Sequence, residues 1–140
     1  MSTLDSPHTF RYFHQLPLNP AVKKAVKALG FSELTPIQAQ ILPHTLAGQD
    51  AIGQAQTCTG KTATFLLTII EALLKRPFSN HETRYVGEPR AVILAPTREL
   101  AQQIHDDCLE LTRFCDLHSV CVMGGKDYDA QIQAIDQEYL

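Results

Sequence analysis

Residues 55–62, Ala-Gln-Thr-Cys-Thr-Gly-Lys-Thr, constrain this chain more than any other stretch. Before them, Asp50-Ala51-Ile52-Gly53 is a short apolar run that follows Gly48. After them, Phe65/Ile69, Leu66/Ile70 and Ile70/Leu73/Leu74 fall at helical spacing, with Lys75 and Arg76 in the last turn and Pro77 as the stop. Strand, tight loop and helix form the setting in which such a sequence holds phosphate. Successive backbone N–H groups turn inward as a cradle for anionic oxygens, and the helix that starts at Gly60-Lys61 adds the positive end of its dipole. Lys61 has the reach for β- and γ-phosphates, and the Thr62 hydroxyl suits the Mg²⁺ that accompanies them. Two residues depart from the generic pattern. Ala55 stands at its first Gly position, and Cys58 lies inside the loop.

The gross numbers set the frame for that loop. One domain fits 140 residues, and 44% hydrophobic content suffices for one core. No apolar stretch approaches a membrane span, and the first residues lack the basic and apolar regions of a signal peptide. Cys58, Cys108, Cys115 and Cys121 form no C-x-x-C pair and have no His at zinc-finger spacing, so a reduced, cytoplasmic setting is expected. A net charge of −3 argues against coating nucleic acid by bulk positive charge and leaves local phosphate contacts open.

Read from its start, the chain opens with a flexible tail over 1–9. Asn19 caps a helix that begins at Pro20; Val22, Val26 and Leu29 line its apolar face, Lys23, Lys24 and Lys27 face solvent, and Gly30 ends it. The punctuation repeats, with Thr35 as cap and Pro36 at the first helical position. Ile37 and Ile41 are expected to pack inward, Pro43 to break or restart the helix, and Gly48 to close it. Residues 76–89 read as a surface loop. Ala91-Val92-Ile93-Leu94-Ala95 is a continuous apolar run of the kind buried on both faces of a parallel sheet. Thr97 caps the next helix, with Leu100, Ile104, Leu111 and Phe114 on its apolar side. Ser119 to Met123 is a third strand candidate, ended by Gly124-Gly125, and a last helix carries Ala130, Ile132 and Ile135. Alternating strand and helix predicts an α/β fold with a right-handed parallel sheet.

Four ordered elements carry a family resemblance. Gly30-Phe31-Ser32-Glu33-Leu34-Thr35-Pro36-Ile37-Gln38, with Phe13 seventeen positions before Gly30, resembles the Q motif (10–38) of bacterial-type DEAD-box ATP-dependent RNA helicases. Residues 55–62 resemble that family's motif I, where Ala is usual at the first position; Pro96 to Ile104 resemble motif Ia (96–104), and Gly124-Gly125 the GG element. The resemblance implies that 10–140 is part of the first RecA-like domain, a P-loop parallel sheet flanked by helices, ending before the strand that bears motif II.

The same resemblance implies roles. The Gln38 amide, able both to donate and to accept, would read adenine's N6/N7 edge and select ATP over GTP. Phe13 would stack on the base. Ala55, Gln56, Thr57, Cys58, Thr59, Gly60, Lys61 and Thr62 would hold the phosphates, with Lys61 and Thr62 catalytic and Thr62 binding Mg²⁺ through ATP. Pro96, Thr97, Arg98, Gly124 and Gly125 would contact single-stranded RNA along its backbone, with little sequence preference.

Asp-Glu-Ala-Asp is absent from these 140 residues, as are the Ser-Ala-Thr motif and a second RecA-like domain. Hydrolysis needs a carboxylate to hold Mg²⁺ and orient water, with cationic groups on the γ-phosphate. Negligible ATPase and no unwinding are therefore expected of these residues alone. The family's strand pattern further predicts an exposed apolar edge and self-association. Two readings follow: a helicase domain active only with its remaining machinery, or a non-catalytic ATP- and RNA-binding remnant. A small P-loop kinase or GTPase is disfavoured by the lack of Asn-Lys-x-Asp. Cys58 departs from the Gly usual in the family. Its side chain is expected to crowd the phosphates, and its thiol, beside Lys61, to make ATP binding sensitive to alkylation.

Overall fold

The computed structural model describes residues 10–57, 60–77 and 88–137. Among the described residues are a 3-10 turn, Phe13–Gln15, and five α-helices: α1 Pro20–Ala28, α2 Pro36–Leu46, α3 Lys61–Lys75, α4 Arg98–Thr112 and α5 Tyr128–Gln137. None of these helices is long and apolar enough to cross a membrane.

Helix ends follow from their caps. The Asn19 side chain accepts from Ala21 N–H at 2.9 Å, with Pro20 at the first helical position. Gly30, at φ +76°, then turns the chain out of α1. Phe31 N–H donates back to Val26 O and Gly30 N–H to Lys27 O, satisfying carbonyls that the helix end would leave open. Thr97 opens α4 in the same manner, its hydroxyl accepting from Leu100 N–H at 3.2 Å.

Pro43 corrects the reading of α2. The helix runs unbroken from Pro36 to Leu46 with Pro43 inside it. The ring forfeits the bond to Ala39 O, yet only one turn follows, so little ladder is lost. The inward face of α2 is also one step from that expected: Gln38 and Leu42 are buried, while Ile37 and Ile41 are half-buried against Gly53.

The core gathers Phe13, Leu16, Leu18, Val22 and Val26 from the N-terminal segment and α1, with Leu42 from α2. Leu66, Leu67 and Ile70 of α3 and Ile104 and Leu111 of α4 complete it. Helix α1 packs on α4, and α3 packs on both α2 and α4. Each such aliphatic side chain taken from water contributes about 1.5–3 kcal/mol. Helices α2 and α3 lie side by side and parallel. Gln38 meets Gly60 at their starts, Thr45 meets Thr68 further along, and Lys75 Nζ donates to Leu46 O at their ends.

A buried carboxylate ties the N-terminal segment to this frame. Glu71 in α3 is 3% exposed and accepts from Asn19 N–H at 2.6 Å, across 52 residues of sequence. Its spacing among Phe65, Leu66 and Ile69 gave no sign of this. The acceptor role explains how a carboxylate is kept inside.

The described residues show no strand ladder of the expected parallel sheet. The pairing they contain is an isolated antiparallel bridge, Tyr12 with Glu33, flanked by bonds from Phe13 N–H to Ser32 O and from Leu34 N–H to Arg11 O. Residues 50–53, 91–95 and 119–123 run outside any helix without laddering to one another. Ile52 is 99% and Leu94 90% exposed. An apolar run suited to the centre of a sheet needs a paired neighbour on each edge, and the described residues show no such pairing for these stretches. The surface loop expected at 76–89 lies mostly outside the described residues, as do the tail 1–9, Cys58 and Thr59.

Candidate nucleotide-binding site

The start of α2 and the start of α3 meet through one side chain. Thr35 and Gln38 form a reciprocal cap, in which Thr35 N–H donates to Gln38 Oε1 at 2.9 Å and Gln38 N–H to Thr35 Oγ1 at 3.5 Å. The same carboxamide then donates from Nε2 to Gly60 O at 3.2 Å. Gln38 is thereby 4% exposed and held at both ends.

Gly60 is required at its position for two reasons. Its φ is +84°, a left-handed conformation that suits glycine. A Cβ there would meet Gln38 Nε2, and would stand 3.0 Å from Gln38 Cδ and 3.2 Å from Thr35 Oγ1. Its carbonyl also accepts from Thr64, through N–H at 3.1 Å and through Oγ1 at 2.9 Å. Lys61, next in the chain and half-buried, donates from Nζ to Ala55 O across the loop. Thr62 follows in the first turn of α3, half-buried, and Gln56 and Thr57 are exposed. Among the expected loop residues, the structure thus brings Ala55, Gly60 and Lys61 together and adds Gln38 from α2. A cation, a helix N-terminus and an amide at one place suit a ligand with a polyanionic tail and a hydrogen-bonding head.

Phe13 sits differently from a freely offered stacking ring. It is 4% exposed within the core and stacks on Phe31, with centroids 5.6 Å apart and planes at 28°. Phe31 is the outer member of the pair, 40% exposed, and sequence reasoning gave it no role of its own. Beside them, the Arg11 guanidinium lies over the Tyr12 ring and 3.5 Å from Glu33.

A second surface forms where α4 begins. Pro96, Thr97, Arg98, Gly124 and Gly125 are all exposed. Gly125 has φ +81°, and a Cβ there would fall 2.8 Å from Arg98 Nη1 and 2.9 Å from Nη2. The glycine therefore lets the guanidinium lie on the turn beside the helix N-terminus, an arrangement suited to phosphate. Sequence alone placed Arg98 and Gly125 in separate motifs; the structure puts them in contact.

Burial raises the thiol pKa of Cys108, and burial with the nearby Glu71 charge raises that of Cys115. The described residues hold no cluster of three or more His, Cys, Asp or Glu suited to a metal ion.

Comparison with known proteins fits this geometry. Residues 35–139 match the family model for the DEAD/DEAH box helicase. The chain is 50% identical over 127 residues to the ATP-dependent RNA helicase RhlB of Pseudomonas aeruginosa, covering 91% of this chain and 32% of that protein. It is 45% identical over 128 residues to the ATP-dependent RNA helicase RhlB of Cronobacter sakazakii, covering 91% and 30%. Among solved structures, the RNA-helicase Prp28 from Chaetomium thermophilum bound to ADP superposes with a TM-score of 0.79 at 31% identity, over 97% of this chain and 33% of that one. A DEAD box protein from Methanococcus jannaschii gives 0.75 at 31% identity, over 91% and 32%. The chain thus spans about a third of the length of the relatives it matches.

Proposed function

The chain belongs to the DEAD/DEAH box helicase family, and from that premise we propose that it binds ATP and single-stranded RNA in the cytoplasm as part of an ATP-dependent RNA helicase. The observation that carries this reading is the Gln38 amide bonded to Gly60 O, beside a lysine at the head of α3. The amide addresses adenine with its remaining N–H and lone pair. Lys61 exchanges the Ala55 carbonyl for the β- and γ-phosphates, and the N–H groups at the start of α3 face them. Phe13, paired with the more exposed Phe31, borders the base.

One hydroxyl, that of Thr62, is the expected protein ligand for Mg²⁺, and the nucleotide supplies most of the remaining oxygens. Magnesium is commonly held this way, through few protein groups and substrate phosphates. When bound, the ion neutralises phosphate charge. Hydrolysis and unwinding need a carboxylate and a second cationic surface beyond these residues, so binding is the activity assigned to them.

Arg98, Thr97, Pro96, Gly124 and Gly125 hold the RNA backbone, with the guanidinium on a phosphate and the α4 N-terminus on its neighbour. We also take 50–53, 91–95 and 119–123 as strands of one parallel RecA-like sheet, joined when further strands fill the gaps between them. Their apolar sequence, their exposure and their order between helices support this.

The reading is tested by equilibrium binding of a non-hydrolysable ATP analogue and of fluorescent oligouridylate to the 140-residue chain, with and without Mg²⁺. Lys61→Ala should abolish saturable binding of the analogue while leaving oligouridylate binding intact. Equal analogue binding by both proteins would overturn it.

A further inference from the structure

Two threonine hydroxyls meet between α2 and α3. Thr45 Oγ1 lies 2.7 Å from Thr68 Oγ1, across 23 residues of sequence. Thr68 Oγ1 is also 2.9 Å from Thr64 O, and Thr45 Oγ1 is 3.3 Å from Ile41 O. Each hydroxyl has one proton to give. Giving the Thr68 proton to Thr64 O, the shorter of the two back-bonds, leaves Thr68 Oγ1 to accept from Thr45. One turn nearer the loop, Thr64 Oγ1 donates to Gly60 O, the carbonyl that also accepts from Gln38. A file of polar contacts therefore runs from the middle of the seam up to the loop.

Back-bonding to the carbonyl four residues earlier is common for threonine in helices and explains the Ile41 and Thr64 contacts singly. It does not explain the contact between helices. Around it the seam is made of apolar side chains such as Leu42, Leu66 and Leu67, which resist separation but fix sliding poorly. A hydrogen bond is directional and fixes it. Thr45 follows Gln38 by seven residues and Thr68 follows Gly60 by eight. At about 1.5 Å rise per residue, the two crossings lie roughly 11 Å apart.

We propose that Thr45 and Thr68 are positioning residues whose hydroxyl bond sets the lengthwise register of α2 against α3, and so holds the Gln38 carboxamide level with Gly60. The base reader and the phosphate loop are then kept at a fixed spacing by a contact outside the site. The inference rests on the reading of Gln38 as the group that addresses adenine.

The test compares an ATP analogue with inorganic tripolyphosphate, which needs the loop and not Gln38. Thr45→Val and Thr68→Val keep side-chain shape and remove the hydroxyl. Each should weaken analogue binding about fivefold, the scale of one hydrogen bond, with tripolyphosphate unchanged. Thr45→Ser and Thr68→Ser should restore affinity, and in a Gln38→Ala background neither valine change should matter. If Thr68→Val does not fold, Thr45→Ala carries the same expectation. Parallel loss of both ligands, or no loss of analogue binding, would overturn the proposal. If Gln38→Ala itself leaves analogue affinity unchanged, the adenine reading fails. If it costs affinity while the valine changes do not, only the register proposal fails.

Discussion

Gln38 Nε2 donates to Gly60 O at 3.2 Å, so the helix that carries the expected base reader is bonded to the residue that opens α3. Neither residue sits there for its own packing. Gln38 completes the α2 cap with its oxygen and spends its nitrogen on the loop, and Gly60 has no Cβ to keep it away.

Gly60→Ala tests that fit from the loop side. The new methyl meets the Gln38 amide, and the backbone must hold φ +84°. A non-glycine residue in such a conformation costs about 1–3 kcal/mol, so thermal melting should fall by several degrees. Nucleotide binding should be lost as the amide is pushed aside. Melting unchanged from the wild type would contradict the contact.

Phe13→Ala should be among the more damaging core changes. The ring is enclosed and stacked on Phe31, and loss of a buried phenylalanine costs about 3–5 kcal/mol. Phe13→Leu refills much of the volume and should recover most of that stability in urea titration. If it also restores analogue affinity, the ring acts by supporting the segment rather than by stacking on the base.

Glu71→Gln should be mild and Glu71→Leu severe. Glutamine keeps an acceptor for Asn19 N–H, while leucine leaves that donor buried and unpaired. An orphaned donor costs about 1–3 kcal/mol, read as a lower urea midpoint. Equal midpoints for the two variants would sink the assignment.

Arg98→Ala should weaken oligouridylate binding equally for all sequences. The slope of log K against log salt should shrink by about 0.7, the value for one phosphate contact on a single strand. Gly125→Ala should give a smaller loss, since its methyl displaces the guanidinium without removing it. A loss confined to one base composition would point to base contact instead.

Local chemistry made much of this architecture legible beforehand. Asn19-Pro20 and Thr35-Pro36 each open a helix because a side-chain acceptor and a fixed φ act within a few residues, and Thr97 does so by its acceptor alone. Gly30 and Gly48 close theirs for an equally local reason, at φ +76° and +85°. What escaped was nonlocal. Nothing near Glu71 in the chain signals its burial, because its partner, Asn19 N–H, lies 52 residues earlier. Gln38 was expected to wait for a ligand, and its bond to Gly60 joins two motifs that sequence lists separately. Arg98 and Gly125 meet for the same reason. The sheet marks the opposite case. Residues 91–95 have a strand's composition, but a strand exists only with a neighbour, and composition does not say whether one is present.

The central question is whether the chain distinguishes adenine through Gln38. The direct measurement is competition of ATP and GTP for a fluorescent ATP analogue bound to the 140-residue chain, repeated with Gln38→Ala. The expected result is displacement by ATP at least tenfold more effective than by GTP in the wild type, about what one or two hydrogen bonds supply, with the preference lost in Gln38→Ala. Equal displacement by ATP and GTP in the wild type, or a preference untouched by Gln38→Ala, would contradict it.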